Sequence, residues 1–137
     1  VRETTVIVVA SSPFALALMG DLLEANGITT RQVVSAAEAL ECMAVQAPAM
    51  VILDLDLPSA ETRILVEGMR RSVGLRDLPV LSVGSTRQRA AFEAVRQMGV
   101  EADDVGLSKP LDTGTFPRRV MREIQRQSTS SGRPALL

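Results

Sequence analysis

Short β-branched apolar runs alternate with helix-patterned segments from one end of the chain to the other, and that alternation leaves few folds open. Thr4 to Ala10 (TTVIVVA), Thr29 to Val34, Met50 to Leu53 (MVIL), Val80 to Val83 and Val105 to Ser108 read as five strands. A helical pattern follows each of them. Parallel strands need a crossover long enough to hold a helix, and helices on both faces leave the strands buried and apolar. The pattern therefore predicts an α/β fold, a doubly wound five-stranded parallel sheet with helices on both faces.

Local signals mark the helix ends. Ser12-Pro13 supplies an N-cap and then a proline at the first helical position. The first helix carries Phe14, Leu18 and Leu22 on one stripe, with Met19 and Leu23 beside it, and Asn26-Gly27 stops it. Ser35 with Glu38, and Ser85 with Gln88, have the spacing of capping boxes, with the second helix running through Gln46 and the fourth ending at Gly99. The third helix is expected around Glu61 to Arg71. The last places Phe116, Val120 and Ile124 at helical spacing, Met121 alongside, and ends near Gln127. Residues 1–127 read as one domain and 128–137 (STSSGRPALL) as a flexible tail or truncated linker.

Composition removes several function classes. Hydrophobic residues are 46% of the 137, enough for a core, but that core is aliphatic, with Phe14, Phe92 and Phe116 the only aromatics. Sites that stack bases recruit aromatic faces, so such a role is disfavoured. A net charge of -1 gives no global reason to bind nucleic acid or an anionic membrane. With no His, the commonest general base and metal ligand is missing. The lone Cys42, inside a predicted helix, reads as a buried, inert thiol that fits a reducing cytoplasm. No apolar run approaches membrane-spanning length.

In an open parallel sheet, ligands bind outside the carboxyl ends of the strands, where strand order reverses. The residues there are Ala10-Ser11-Ser12, Asp54, Gly84-Ser85 and Lys109-Pro110. Asp54 directly follows the buried Val51-Ile52-Leu53 run, and Lys109 ends the fifth strand at the same edge. A carboxylate held this way can act as a nucleophile toward a phosphoryl group, and a lysine can pair with the phosphoryl oxygens as a compact charge.

Asp54-Leu55-Asp56-Leu57-Pro58, the Leu78-Pro79-Val80 lead into the fourth strand, and Lys109-Pro110 together resemble bacterial response-regulator receiver domains over about Thr4 to Gln127. The resemblance implies a flavodoxin-like sheet and a part in two-component phosphorelay signalling. It implies Asp54 as phosphoacceptor, Lys109 as the invariant lysine and a histidine kinase or phosphotransfer protein as partner. It further implies contacts through the last two helices, and a signalling module rather than an enzyme. The pattern also breaks. Receivers carry two carboxylates after the first strand to help hold Mg²⁺, and this chain has Ala10-Ser11-Ser12 there. The hydroxyl residue expected after the fourth strand falls on Gly84, and Val105-Gly106-Leu107 fills the stretch of the aromatic switch. What remains for Mg²⁺ is at best a weak site made of Asp54 and Asp56, although the family uses the backbone carbonyl at the latter position.

These departures keep a second reading open, a pseudo-receiver acting as a phosphorylation-independent interaction or dimerisation module. A small-ligand binder at the Ser11-Ser12 helix start is a third, against which Ser12 is simply a cap and Ser85 likewise. Arg118, Arg119, Arg122 and Arg126, with Arg87, Arg89 and Arg96, make basic helix faces, and Glu101, Asp103 and Asp104 lie between them. A self-complementary homodimer through the last two helices is the sharper reading of that charge, and solvated helix faces the plainer one.

Overall fold

The computed structural model describes residues 5–85, 88–98, 107–108 and 112–130. Strands β1 (Thr5–Val9), β2 (Thr29–Val33), β3 (Met50–Asp54) and β4 (Val80–Gly84) have five residues each, and β5 (Leu107–Ser108) adds two at the edge. Helices α1 (Pro13–Glu24), α2 (Ala36–Val45), α3 (Ser59–Arg71), α4 (Arg89–Gln97) and α5 (Thr115–Ser130) alternate with them. All pairings are parallel, in the order β2-β1-β3-β4-β5. Strand order therefore reverses between β1 and β3, and the crevice expected of such a sheet opens at their carboxyl ends.

Every residue of β3 is buried, and its side chains alternate between two cores. Val51 and Leu53 face Ala39, Met43, Leu65 and Met69 of α2 and α3. Met50 and Ile52 face Met19, Leu23, Phe116 and Val120 of α1 and α5. Burying each such aliphatic side chain contributes roughly 1.5–3 kcal/mol, so the strand carrying Asp54 is fixed from both sides.

Caps follow the sequence at the first two helices. The Ser12 hydroxyl accepts the Ala15 N–H at 3.2 Å, and the Ser35 hydroxyl accepts the Glu38 N–H at 3.1 Å. Gly27, with φ of 81°, lets the Ile28 N–H return to the Leu23 carbonyl at 3.0 Å.

Other expectations need correction. Phe14 is 77% exposed, and α1 buries Leu16, Met19, Gly20 and Leu23 instead. Residues 14–19 are apolar all round the helix, so periodicity alone did not fix which stripe faces the sheet. The N-cap of α4 is Gln88 rather than Ser85, and the helix ends at Gln97. Helix α5 continues past Gln127 to Ser130. Cys42 is half-buried rather than enclosed.

Candidate functional site

The crevice has two unlike walls. On the β3 side Asp54 is 1% exposed, and its Oδ1 accepts the Asp56 N–H at 2.9 Å. The turn closes with the Leu57 N–H on the Asp54 carbonyl at 3.1 Å, while the Leu55 N–H bonds the Val83 carbonyl of β4 at 2.8 Å. A carboxylate so buried needs such donors, because desolvation penalises an unsatisfied charge heavily. Asp56, two residues on, is exposed.

On the β1 side, Val9 stands in register with Leu53, so the next residues, Ala10 and Asp54, end neighbouring strands. Ala10 is fully buried and its N–H goes to the Val33 carbonyl at 3.2 Å. Ser11 is exposed, and Ser12 caps α1. No carboxylate comes from this side, and the described residues hold no group of three or more His, Cys, Asp or Glu that could cage a metal.

The end of β4 contributes a residue that sequence reading weighed only as a cap partner. The Gln88 Oε1 accepts the Ser85 N–H at 2.7 Å, which is one half of the expected capping box. Its Nε2 reaches across to the β3–α3 loop, donating to the Leu55 carbonyl at 3.0 Å and to Asp56 Oδ1 at 2.8 Å. The space Gln88 uses exists because residue 84 is glycine: a Cβ there would stand 2.6 Å from the Gln88 Oε1. The available signal was the bare Gly84 beside a long amide four residues on. Lys109 and Pro110, and with them Arg87, Glu101, Asp103, Asp104 and Val105-Gly106, lie outside the described residues.

On the helix faces Arg119 and Arg126 both contact Glu123 of their own helix, at 3.2 and 2.9 Å, and Arg96 contacts Glu93 at 2.7 Å. Part of the basic charge proposed for a dimer face is thus engaged within single helices. No helix among the described residues is long and apolar enough to cross a membrane.

The family model described as the response regulator receiver domain matches residues 6–121. The chain belongs to that family. It is a receiver domain of two-component signal transduction, and receiver domains interact with histidine kinases or phosphotransfer proteins as signalling modules. The polar-differentiation response regulator DivK of Brucella ovis is 29% identical over 112 residues, covering 82% of this chain and 89% of DivK. A sensor protein from Polaromonas sp. JS666 is 26% identical with a TM-score of 0.78, over 92% of this chain and 99% of that one. The receiver domain of a Pseudomonas aeruginosa sensor histidine kinase, solved with a magnesium ion in its active-site cleft, shares the fold at a TM-score of 0.75 and 17% identity. The match covers 92% of this chain and 98% of that one.

Proposed function

We propose that Asp54 is the phosphoacceptor of this receiver, taking a phosphoryl group from a histidine kinase or a phosphotransfer protein. The observation that carries the reading is the buried Asp54 carboxylate at the end of a fully buried strand, oriented by the Asp56 N–H at 2.9 Å. A carboxylate oxygen of Asp54 attacks phosphorus. The P–N bond to the donor histidine breaks, its electron pair stays on the ring nitrogen, and an acyl phosphate remains. Preorganisation by β3 and the Asp56 turn fixes the nucleophile's direction, which is the larger part of what a protein contributes to such a transfer.

Lys109 is the proposed cationic partner of the phosphoryl oxygens. It follows Ser108 directly in sequence, and Ser108 is in register with Gly84 at the same sheet edge. Two carboxylates, Asp54 and Asp56, fit the number with which Mg²⁺ is commonly bound alongside phosphate oxygens and water. When bound there the ion would neutralise charge on the transferring group. With Ala10 and Ser11 supplying no carboxylate, the site is proposed to be weak and to tighten once phosphate oxygens join it. The same sheet of five strands, β5 included, is the proposed full architecture.

Intact-mass measurement after incubation with Mg²⁺ and acetyl phosphate tests this. The expected result is a gain of one phosphoryl group that disappears in Asp54→Ala and with chelator. A folded wild-type domain that gains nothing from acetyl phosphate or from a histidine kinase would restore the reading as a phosphorylation-independent interaction module.

A further inference from the structure

We propose that Gln88 is a positioning residue whose carboxamide links the charge on the Asp54–Asp56 loop to the start of α4. The part that concerns phosphorylation rests on Asp54 being the acceptor, while the part that concerns Asp56 stands without it.

Three contacts define the link. Gln88 accepts from the Ser85 N–H and donates to the Leu55 carbonyl and to Asp56 Oδ1. One planar amide therefore joins the end of β4, the first turn of α4 and the loop that follows Asp54. The bond to Asp56 is charge-assisted, which makes it roughly twice as strong as a neutral one.

Helix α4 is placed to respond. Its Gln88 cap has no side-chain hydrogen bond to the helix, whereas Ser12 and Ser35 cap α1 and α2. Of its residues only Val95 is buried, with Ala91 and Phe92 packed partly against the core. An element with so few buried contacts shifts at little cost, so a polar link at its first turn has leverage over where it sits. A phosphoryl group on Asp54 brings charge and acceptor oxygens to the same loop. The Nε2 donor turns toward it, and the amide's contact with the Ser85 N–H shifts with it.

Hydrogen exchange by mass spectrometry over residues 88–98 of the whole chain tests the link. Asp56→Asn keeps an acceptor but removes the charge, and should change exchange there roughly threefold, the size of a weakened charge-assisted bond. Gln88→Ala abolishes that response. So does Gly84→Ala, whose Cβ would displace the Gln88 Oε1 and also press on the Leu55 side chain at 3.2 Å, so it is read beside Gln88→Ala. Gln88→Glu separates support from linkage, because its carboxylate still accepts the Ser85 N–H but cannot donate to Asp56. The new carboxylate meets Asp56 as a like charge, so this variant should melt below the native chain, and Asp56→Asn, by relieving the repulsion, should change exchange in the opposite direction. An equal response to Asp56→Asn in the Gln88→Glu and native backgrounds overturns the proposal.

A second arm adds acetyl phosphate with Mg²⁺ and follows the intact mass alongside exchange. Phosphoryl uptake with an exchange change in the native chain but not in Gln88→Glu extends the link to the phosphorylated state. Uptake with the same change in both overturns it. No uptake in the native chain counts against Asp54 as acceptor, and the Asp56→Asn comparison then decides the role of Gln88 alone.

Discussion

β1 and β3 are neighbours of the same length, both buried, both ending at the same edge, yet one ends in Ala10-Ser11-Ser12 and the other in Asp54-Leu55-Asp56. Backbone geometry is shared; chemistry is not. After β1 the chain seals the core with Ala10 and starts a helix with the Ser12 cap. After β3 it buries a carboxylate, satisfies it with a main-chain donor and ties the following loop to α4 through Gln88. The contrast teaches that the edge of a doubly wound sheet offers positions, and that side chains decide which become a site.

The largest expected effect breaks the comparison outright. Asp54→Ala removes all phosphoryl uptake, whereas Ser11→Ala leaves its rate within roughly tenfold, the most one neutral hydrogen bond supplies. Intact mass against time distinguishes them. If the two variants lost uptake equally, the β1 wall would be as much a part of the chemistry as the β3 wall.

The next sharpens it by making the walls alike. Ser11 is exposed, so Ser11→Asp can add a carboxylate opposite Asp54 without burying a charge beside Ala10. Mg²⁺ affinity, read from the metal-dependent rise in Tm, should increase by roughly tenfold or more. No gain would mean that position 11 does not face the crevice.

A smaller effect separates folding from function on the β1 side. Ser12→Ala removes the cap of α1 and should cost about 1 kcal/mol in denaturant unfolding, while phosphoryl uptake by the folded fraction stays unchanged. Loss of uptake beyond the unfolded fraction would revive an anion-binding role for that helix start.

The smallest concerns Asp112, just ahead of α5. Its Oδ1 accepts the Thr115 and Gly114 N–H groups at 2.8 Å each, and these donors, with Arg118 nearby, lower its pKa below 3.8. The folded pKa is depressed, so the stabilisation is present above the unfolded value and is lost as pH falls through the folded one. Asp112→Ala should lower Tm by a few degrees at neutral pH and by less in acid below pH 3.8. An equal loss at both would show that the carboxylate's charge does not matter there.

Much of this was legible in the sequence because it is governed by contacts a few residues apart. Ser12 before Pro13, Ser35 before Glu38 and Asn26-Gly27 each act within one helical turn; Ser12, Ser35 and Gly27 act as read, while the Glu38 carboxylate accepts the Val34 N–H in place of the Ser35 N–H of a full capping box. Asp54 was legible as the residue ending the most buried run. Phe14 was not, because a helix start apolar on every side carries no record of which stripe meets the sheet. The Asp112 contacts to the Gly114 and Thr115 N–H groups were not read, although an aspartate just ahead of an amphipathic helical pattern is itself a start signal.

By itself, then, the sequence determined the order of elements, the caps of α1 and α2 and the acid at the end of β3, since dihedral preference, capping and hydrophobic period are local. Only the tertiary structure decided what Gln88 does. Its bonds to Leu55 and Asp56 span 33 and 32 residues. They exist because parallel pairing of β3 with β4 brings the two loops together and Gly84 leaves room for the amide. A side chain with both a donor and an acceptor takes whatever partners the fold delivers, and those partners are set by topology rather than by neighbours in the chain.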